Sequence, residues 1–228
     1  MTDFLVLDEV LTREELAWIR ATLAQCDWQA GLSAGAQALA AKNNLQLPEE
    51  DPALPELRRV VMRALNRHPL LVSAALPNKI IPPNFNRYVG ERNAYRWHVD
   101  NTLRELPDGS WLRTDVSATL FLSDPEDYEG GELTIEASQG WRTLKGAAGS
   151  LVIYPSGTVH QVQPVTGGER LACYFFIQSL VRDAHLRDLL FKMDLALMRL
   201  RERLGPADGE VVRLTATYHN LLRLWSEC

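Results

Sequence analysis

The chain has 228 residues, 46% of them hydrophobic and 23% charged, with a formal net charge of −5. That balance suits one or two ordinary globular domains and excludes a disordered chain, a collagen-like repeat and a small disulfide scaffold. The mild acidity also argues against a nucleic-acid partner, because neutralising phosphates needs a basic face.

Residues 4–10, FLVLDEV, predict an opening strand. Thr12 then predicts a helix cap, with Glu15 three residues on and Leu16, Ile19 and Leu23 at helical spacing. Cys26 is the first of three scattered cysteines, with Cys173 and Cys228, and no C-x-x-C pair occurs. The set supports neither a disulfide framework nor a zinc ribbon, and fits a reducing compartment. The acidic N-terminus has no secretory character, and no apolar run approaches the roughly 18 residues of a membrane span. The expectation is a soluble, cytoplasmic protein with no membrane partner.

Residues 30–52 show no period and read as a long exposed loop, a length at which loops often act as lids. A second helix is predicted from about Pro55 to Asn66, with Arg58, Arg59, Arg63 and Arg67 read as a solvated face. From residue 78 onward short β-type runs follow one another: NKIIPPNFNRY, AYRWHV, DVSATLFL, GELTI, GWRTL, GSLVIYP, HQVQPV and RLACYFFIQSL. Turn signals such as DPEDYEGG, SQG and VTGGER separate them, and Gly130–Gly131 reads as a tight hairpin with a charged rim. The predicted class is mainly β with flanking helices, built on a double-stranded β-helix (jelly roll) core. Leu186 to Leu204 and Val211 to Trp225 then mark two amphipathic helices around GPADG. This C-terminal helical hairpin either covers the core or forms a homo-oligomer contact.

Chemistry concentrates around two of the five histidines. His98 lies in AYRWHVDN, where residues two apart share a strand face, so His98 and Asp100 can converge. His160 follows the apolar run LVIYPSGTV. Two histidines and one carboxylate make the facial triad of non-heme Fe(II) oxygenases. Arg170, ten residues after His160, can grip a carboxylate through two parallel hydrogen bonds.

The runs FNRYVGERNAYRWHVDN, DVSATLFLSDPEDYEGGELTI and GSLVIYPSGTVHQVQPVTGGERLACYFFIQSLVRD together resemble the PKHD-type hydroxylases, prolyl 4-hydroxylase-like Fe(II)/2-oxoglutarate dioxygenases. The resemblance spans about residues 78–182 and continues more loosely through the C-terminal helices. It implies a dioxygenase domain over residues 1–180, with N-terminal helices within 12–68, a jelly-roll core at about 78–180 and a C-terminal extension at 181–228. It implies Fe(II) on His98, Asp100 and His160, the distal carboxylate of 2-oxoglutarate on Arg170, and Tyr88 near that cosubstrate. L-ascorbate is implied as the reductant and O₂ as co-reactant. The implied reaction hydroxylates an unactivated C–H of a peptidyl side chain or an iron-uptake-related small molecule, releasing succinate and CO₂. Two rivals remain beside it: a jelly-roll zinc or manganese hydrolase or isomerase, and a non-catalytic metal or 2-oxoglutarate sensor.

Other residues have plainer readings. Cys173 reads as core, His68 as a helix C-terminal dipole partner, and His185 and His219 as surface or packing residues. Trp97, Trp111, Tyr128 and Trp141 read as core packing in preference to a substrate cleft. Arg92, Arg96, Arg104 and Arg113 flank the candidate metal motif and are candidates to select an anionic substrate.

Overall fold

Two central strands, Val116–Phe121 and Arg170–Ser179, set the architecture. They pair antiparallel, with Ala118 opposite Phe175 and Leu120 opposite Cys173. Each is covered on both faces. Val116, Ala118, Leu120, Cys173, Phe175 and Ile177 join a core that also holds Ile19, Leu57, Val61 and Leu71 from the helices. The alternate residues point the other way: Ser117, Thr119, Arg170, Tyr174 and Phe176 line a cavity between two sheets.

The structure, a computed structural model, describes residues 3–31, 41–106 and 108–227. The larger sheet runs Leu5–Leu7, Leu151–Pro155, Val116–Phe121, Arg170–Ser179, Asn84–Tyr88, Leu45–Gln46, Gln29–Ala30, with Pro77–Ile80 also pairing onto Arg170–Ser179. The smaller sheet runs Gly140–Leu144, Leu133–Ala137, His160–Val162, Ala94–His98, Lys42–Asn43. All of these pairs are antiparallel, and a second core of Tyr88, Phe121, Leu133, Ile135, Val152 and Tyr154 fills the space between the sheets. This is a jelly roll.

Helices α1 (Arg13–Leu23), α2 (Leu54–Arg67) and α3 (Pro69–Ala75) back the larger sheet. Helices α4 (Ala184–Leu204) and α5 (Gly209–Trp225) form the expected hairpin and bury Leu190, Leu197 and Tyr218 with Leu76 and Val181. No helix among the described residues is long and apolar enough to cross a membrane.

Three readings of the sequence need correction. The stretch 30–52 is no plain loop: Lys42–Asn43 extends the smaller sheet and Leu45–Gln46 the larger one, while residues 32–40 lie outside the described residues. Strands of two residues are too short to register as a period. The Gly130–Gly131 step is not a hairpin turn either. Tyr128–Gly130 pairs with Val165–Gly168 in a separate two-stranded sheet, and the chain then crosses to Leu133. Nor are the α2 arginines a bare solvated face. Arg58 reaches Glu49, Asn84 and the Pro83 carbonyl, Arg59 pairs with Glu56, and Arg63 and Arg67 converge on Glu15.

Glu15 closes the capping box with Thr12 and receives the Arg67 guanidinium, so one carboxylate ties α1 to α2. The hydrogen bond from Arg67 holds its pKa down to about 2. A carboxyl depressed in the folded state stabilises above its unfolded pKa and loses that contribution as pH falls through the folded value. Glu15→Gln should therefore cost about 1–2 kcal/mol at pH 7, allowing for the exposed guanidinium. Urea midpoints should show that deficit vanishing between about pH 4.5 and pH 2.

Gly168 sits just before Arg170 with φ +69, and a Cβ there would fall 2.1 Å from the Asp127 carbonyl oxygen. Gly140 also has positive φ but opens on free space. Gly168→Ala should cost about 3 kcal/mol, from strain and clash together, and Gly140→Ala about 1 kcal/mol, from strain alone. Equal losses in urea denaturation would refute the steric part of this account.

Candidate active site

Cross-strand pairing brings the two histidines together. His98 ends Ala94–His98, His160 begins His160–Val162, and the two are register partners. Their rings lie 4.2 Å apart between centroids. Asp100 comes just past the strand end, so it reaches the site from an irregular segment and not from within the strand, as the sequence suggested. Its Oδ1 lies 4.0 Å from His98 Nε2 and its Oδ2 3.6 Å from His160 Nε2. One ligand atom from each of the three falls within 4.8 Å of the others.

Each side chain is oriented from behind. His98 Nδ1 lies 2.7 Å from the Arg96 carbonyl and His160 Nδ1 2.9 Å from the Thr158 carbonyl. A carbonyl only accepts, so each ring carries its proton on Nδ1 and leaves Nε2 with a free lone pair. Tyr95 stacks on His98 at 3.5 Å. Burial first, and then the neighbouring His160, push the His98 pKa down to about 4. A ligand imidazole has to be neutral, and burial keeps this one so. Asp100 Oδ2 accepts a hydrogen bond from Ser117 at 2.6 Å, and Ser117 Oγ lies 2.8 Å from Ser156 Oγ. Ser117 spends its only proton on Asp100, so Ser156 donates to Ser117.

Ser117 is thus a positioning residue that the sequence reading missed. It sits in a strand of apolar residues and carries no motif of its own. Ser117→Ala should weaken metal binding by about 10–100-fold. At saturating metal, the 2-oxoglutarate requirement should stay unchanged. Metal titration at fixed 2-oxoglutarate, then the reverse titration, checks both halves.

The same cavity, of about 130 Å³, is closed at one end by Arg170. Arg170 is 1% exposed and faces Tyr88 across the strand pair. Its guanidinium lies over the rings of Tyr88 at 5.1 Å and Phe121 at 5.6 Å. None of its three nitrogens has a hydrogen-bond partner. Asn44, the side-chain Oδ1 of Asn86 and the Tyr128 hydroxyl, also buried, likewise have no partner within 3.5 Å, although Tyr128 lies close to Arg170 and Asn44 close to Tyr88. A buried charge without partners is costly, and so large a set of orphaned groups around one arginine fits a polar, acidic occupant.

Tyr88 lies beside Arg170, its register partner in the larger sheet. Among the flanking arginines, Arg104 lines the cavity. Arg113 is committed to Asp115 and Glu227, and Arg92 contacts Asn43. Lys42, Asn44 and Gln46 enter the cavity from the stretch the sequence presented as a loop. The aromatic readings divide. Tyr128 is buried, but Trp97, Trp111 and Trp141 are 45%, 61% and 54% exposed, so they are not core. Trp97 and Trp141 pair at 4.5 Å on the outer face of the smaller sheet, opposite to the face that carries His98. Cys173 is core, and His185 and His219 are exposed, as read. His68 separates α2 from α3, and its Nδ1 is buried without a partner, so no dipole contact through that atom is made.

Comparison with known proteins agrees with this architecture. Residues 83–178 match the 2OG-Fe(II) oxygenase superfamily. Among solved structures, a Pseudomonas putida prolyl-4-hydroxylase superposes with a TM-score of 0.53 at 21% identity, covering 78% of this chain and 94% of that one. A Trichoplax adhaerens prolyl hydroxylase superposes with a TM-score of 0.56 at 15% identity, covering 78% and 84%. At such identities the likeness is one of fold. The fold and the sequence match define an Fe(II)- and 2-oxoglutarate-dependent dioxygenase.

The family is narrower than that class. Residues 183–227 match the PKHD-type hydroxylase C-terminal domain. PKHD-type hydroxylase azo0608 of Azoarcus sp. (strain BH72) is 55% identical over 98% of this chain and 99% of its own length. PKHD-type hydroxylase NE2125 of Nitrosomonas europaea is 57% identical over the same shares. The chain belongs to the PKHD-type hydroxylases.

Proposed function

We propose that His98, Asp100 and His160 hold one ferrous ion, that Arg170 and Tyr88 receive 2-oxoglutarate, and that the enzyme hydroxylates an unactivated C–H of a small-molecule or peptidyl substrate. The observation that carries this reading is the buried, unpartnered Arg170 guanidinium in the same cavity as the three converging ligands. When bound by these residues, iron and 2-oxoglutarate would supply O₂ activation, with one oxygen atom going to the substrate C–H bond, the other to succinate, and CO₂ released.

The chain's own residues prepare that chemistry. The Arg96 and Thr158 carbonyls aim both imidazoles, Ser117 steadies Asp100, and the Tyr88 and Phe121 rings shield Arg170 from water. Charge matches as well. The ion and Arg170 together balance Asp100 and the cosubstrate dianion, so the loaded cavity core is neutral. L-ascorbate as the reductant and a cytoplasmic setting accompany the family assignment, and the absence of C-x-x-C pairs is compatible with both. A zinc or manganese hydrolase would give Arg170 no task, which disfavours that rival.

The test is anaerobic addition of Fe(II) and 2-oxoglutarate, read by the visible charge-transfer band, followed by O₂-dependent succinate release. A protein that gives neither, in any metal state, is not described by this proposal.

A further inference from the structure

One more polar side chain stands with Arg170, and register puts it there. Arg170 pairs with Tyr88 in the larger sheet. On the other side of Tyr88, Leu45 pairs with Arg87 and Gln46 with Asn86, so the next antiparallel step brings Asn44 level with Tyr88. At the sheet edge Ala30 pairs with Leu45, and the Gly31 amide donates to the Asn44 carbonyl at 2.8 Å. Gly31, Asn44, Tyr88 and Arg170 thus form one row across the sheet. Residues level with one another in antiparallel strands share a face. Here that face is the cavity wall, which Asn44, Tyr88 and Arg170 all line.

The heads of the three side chains converge on the Tyr88 hydroxyl. The Arg170 guanidinium leans over the Tyr88 ring at 5.1 Å. Burial raises the Tyr88 pKa, and the charge of Arg170 first and the Asn44 amide next oppose that rise. Asn86 Nδ2 donates to the phenol oxygen at 3.3 Å. An amide nitrogen only donates, so Tyr88 keeps its own proton for another acceptor. Asn44 is 2% exposed, and neither its Nδ2 nor its Oδ1 has a hydrogen-bond partner. An unpaired amide so deeply buried is costly, and an occupant that accepts from Nδ2 offsets part of that cost. The amide has its room because residue 31 is glycine: a Cβ there would overlap Asn44 Oδ1. An ionised carboxylate offers about four acceptor sites. Two parallel donors of Arg170, one N–H of Asn44 and the Tyr88 O–H match that number.

We propose that Asn44 is a cosubstrate-recognition residue, donating a hydrogen bond from Nδ2 to the distal carboxylate of 2-oxoglutarate beside Arg170 and Tyr88, with Gly31 as the positioning residue that leaves its amide room. The inference rests on the proposed 2-oxoglutarate site and adds a donor to it from the short segment that joins the two sheets.

The test is anaerobic calorimetry of 2-oxoglutarate binding to the full-length, Fe(II)-loaded protein, with Fe(II) affinity and the urea midpoint measured without cosubstrate. Asn44→Ala should bind 2-oxoglutarate about 10–100-fold more weakly, the span of one hydrogen bond to a charged group. 2-Oxopentanoate, which lacks the distal carboxylate, should bind the wild type and Asn44→Ala alike. Asn44→Asp keeps the shape but replaces the donor by an acceptor of the cosubstrate's own charge, and should lose more than about 100-fold. Gly31→Ala, outside the cavity wall, should weaken 2-oxoglutarate binding several-fold by displacing the amide. Asn44→Ala and Gly31→Ala should keep the wild-type Fe(II) affinity, since neither residue is among the three ligands. Asn44→Ala should also keep the urea midpoint, because it loses no side-chain hydrogen bond. A lowered urea midpoint with unchanged 2-oxoglutarate affinity would make Asn44 structural and overturn the proposal, as would wild-type 2-oxoglutarate binding by Asn44→Asp. Binding lost in Arg170→Met but kept in Asn44→Asp removes Asn44 alone. A wild type that binds no 2-oxoglutarate strikes at the cosubstrate reading itself, and the role of Asn44 falls with it.

Discussion

His98→Ala, Asp100→Ala and His160→Ala should each abolish the charge-transfer band and reduce substrate-dependent succinate formation to background. The expectation follows from how each ligand is prepared. Both imidazoles have spent Nδ1 on a backbone carbonyl, so Nε2 of each is the one atom it can offer, and no neighbour can replace it. Asp100 supplies the only anionic ligand of the three. Loss of an outer-shell partner already costs about 10–100-fold in metal affinity, so loss of a ligand should exceed about 100-fold. Asp100→Asn is the sharper form of the experiment. It keeps the shape and can still meet Ser117, but it removes the charge. Anaerobic Fe(II) titration at fixed 2-oxoglutarate measures all four variants. A variant with wild-type iron affinity removes its residue from the proposed ligand set. Folding should survive, because His98 and Asp100 lie at and beyond a strand end and the cores lie elsewhere.

The meeting of the three candidate ligands was legible in the sequence for a reason that differs from the structural one. Strand alternation suggested that His98 and Asp100 converge. In the structure the strand stops at His98, and the irregular segment after it delivers Asp100. What joins His98 to His160 is the register of two strands 62 residues apart in the chain, and pairing partners are invisible to local periodicity. Arg170 and Tyr88 likewise meet by register. The resemblance to a family supplied those long-range pairings; composition and spacing could not.

The misses have a common physical cause. Lys42 and Gln46 reach the cavity from strands of two residues, and Asn44 from between them, held by sheet edges and not by propensity. Ser117 and Thr119 sit in a strand covered on both faces, where a polar residue looks like an interruption of core and not like a wall of a site. The three exposed tryptophans show the reverse error: large aromatics are usually core, but these lie on the outer face of the smaller sheet and on the Leu103–Arg113 hairpin. Of the α2 arginines, read as a solvated face, Arg59, Arg63 and Arg67 are exposed as read, but Arg58 and Arg67 also tie the helix to loop, sheet and α1.

Arg170→Met should separate stability from function. In the absence of cosubstrate the wild-type guanidinium is buried, charged and without a hydrogen-bond partner; its attraction to the Tyr88 and Phe121 rings offsets only part of the desolvation cost. A methionine of similar length packs against the same Tyr88 and Phe121 rings without that cost. The variant without cosubstrate should therefore be at least as resistant to urea as the wild type, and by the behaviour of other buried charges up to about 1–4 kcal/mol more stable. Cosubstrate binding should fail in the opposite sense. Removing one partner of a buried charge pair costs about 3–5 kcal/mol, which corresponds to a 2-oxoglutarate requirement raised by about 10²- to 4 × 10³-fold. With Fe(II) already saturating, adding 2-oxoglutarate should further raise the melting temperature of the wild type, because a ligand bound only by the native state stabilises it, and should leave Arg170→Met unmoved. Iron affinity without 2-oxoglutarate should be the same in both proteins, since Arg170 is not among the three ligands. A variant that is destabilised, yet still binds 2-oxoglutarate normally, would make Arg170 a structural residue and remove the observation on which the proposed cosubstrate site stands.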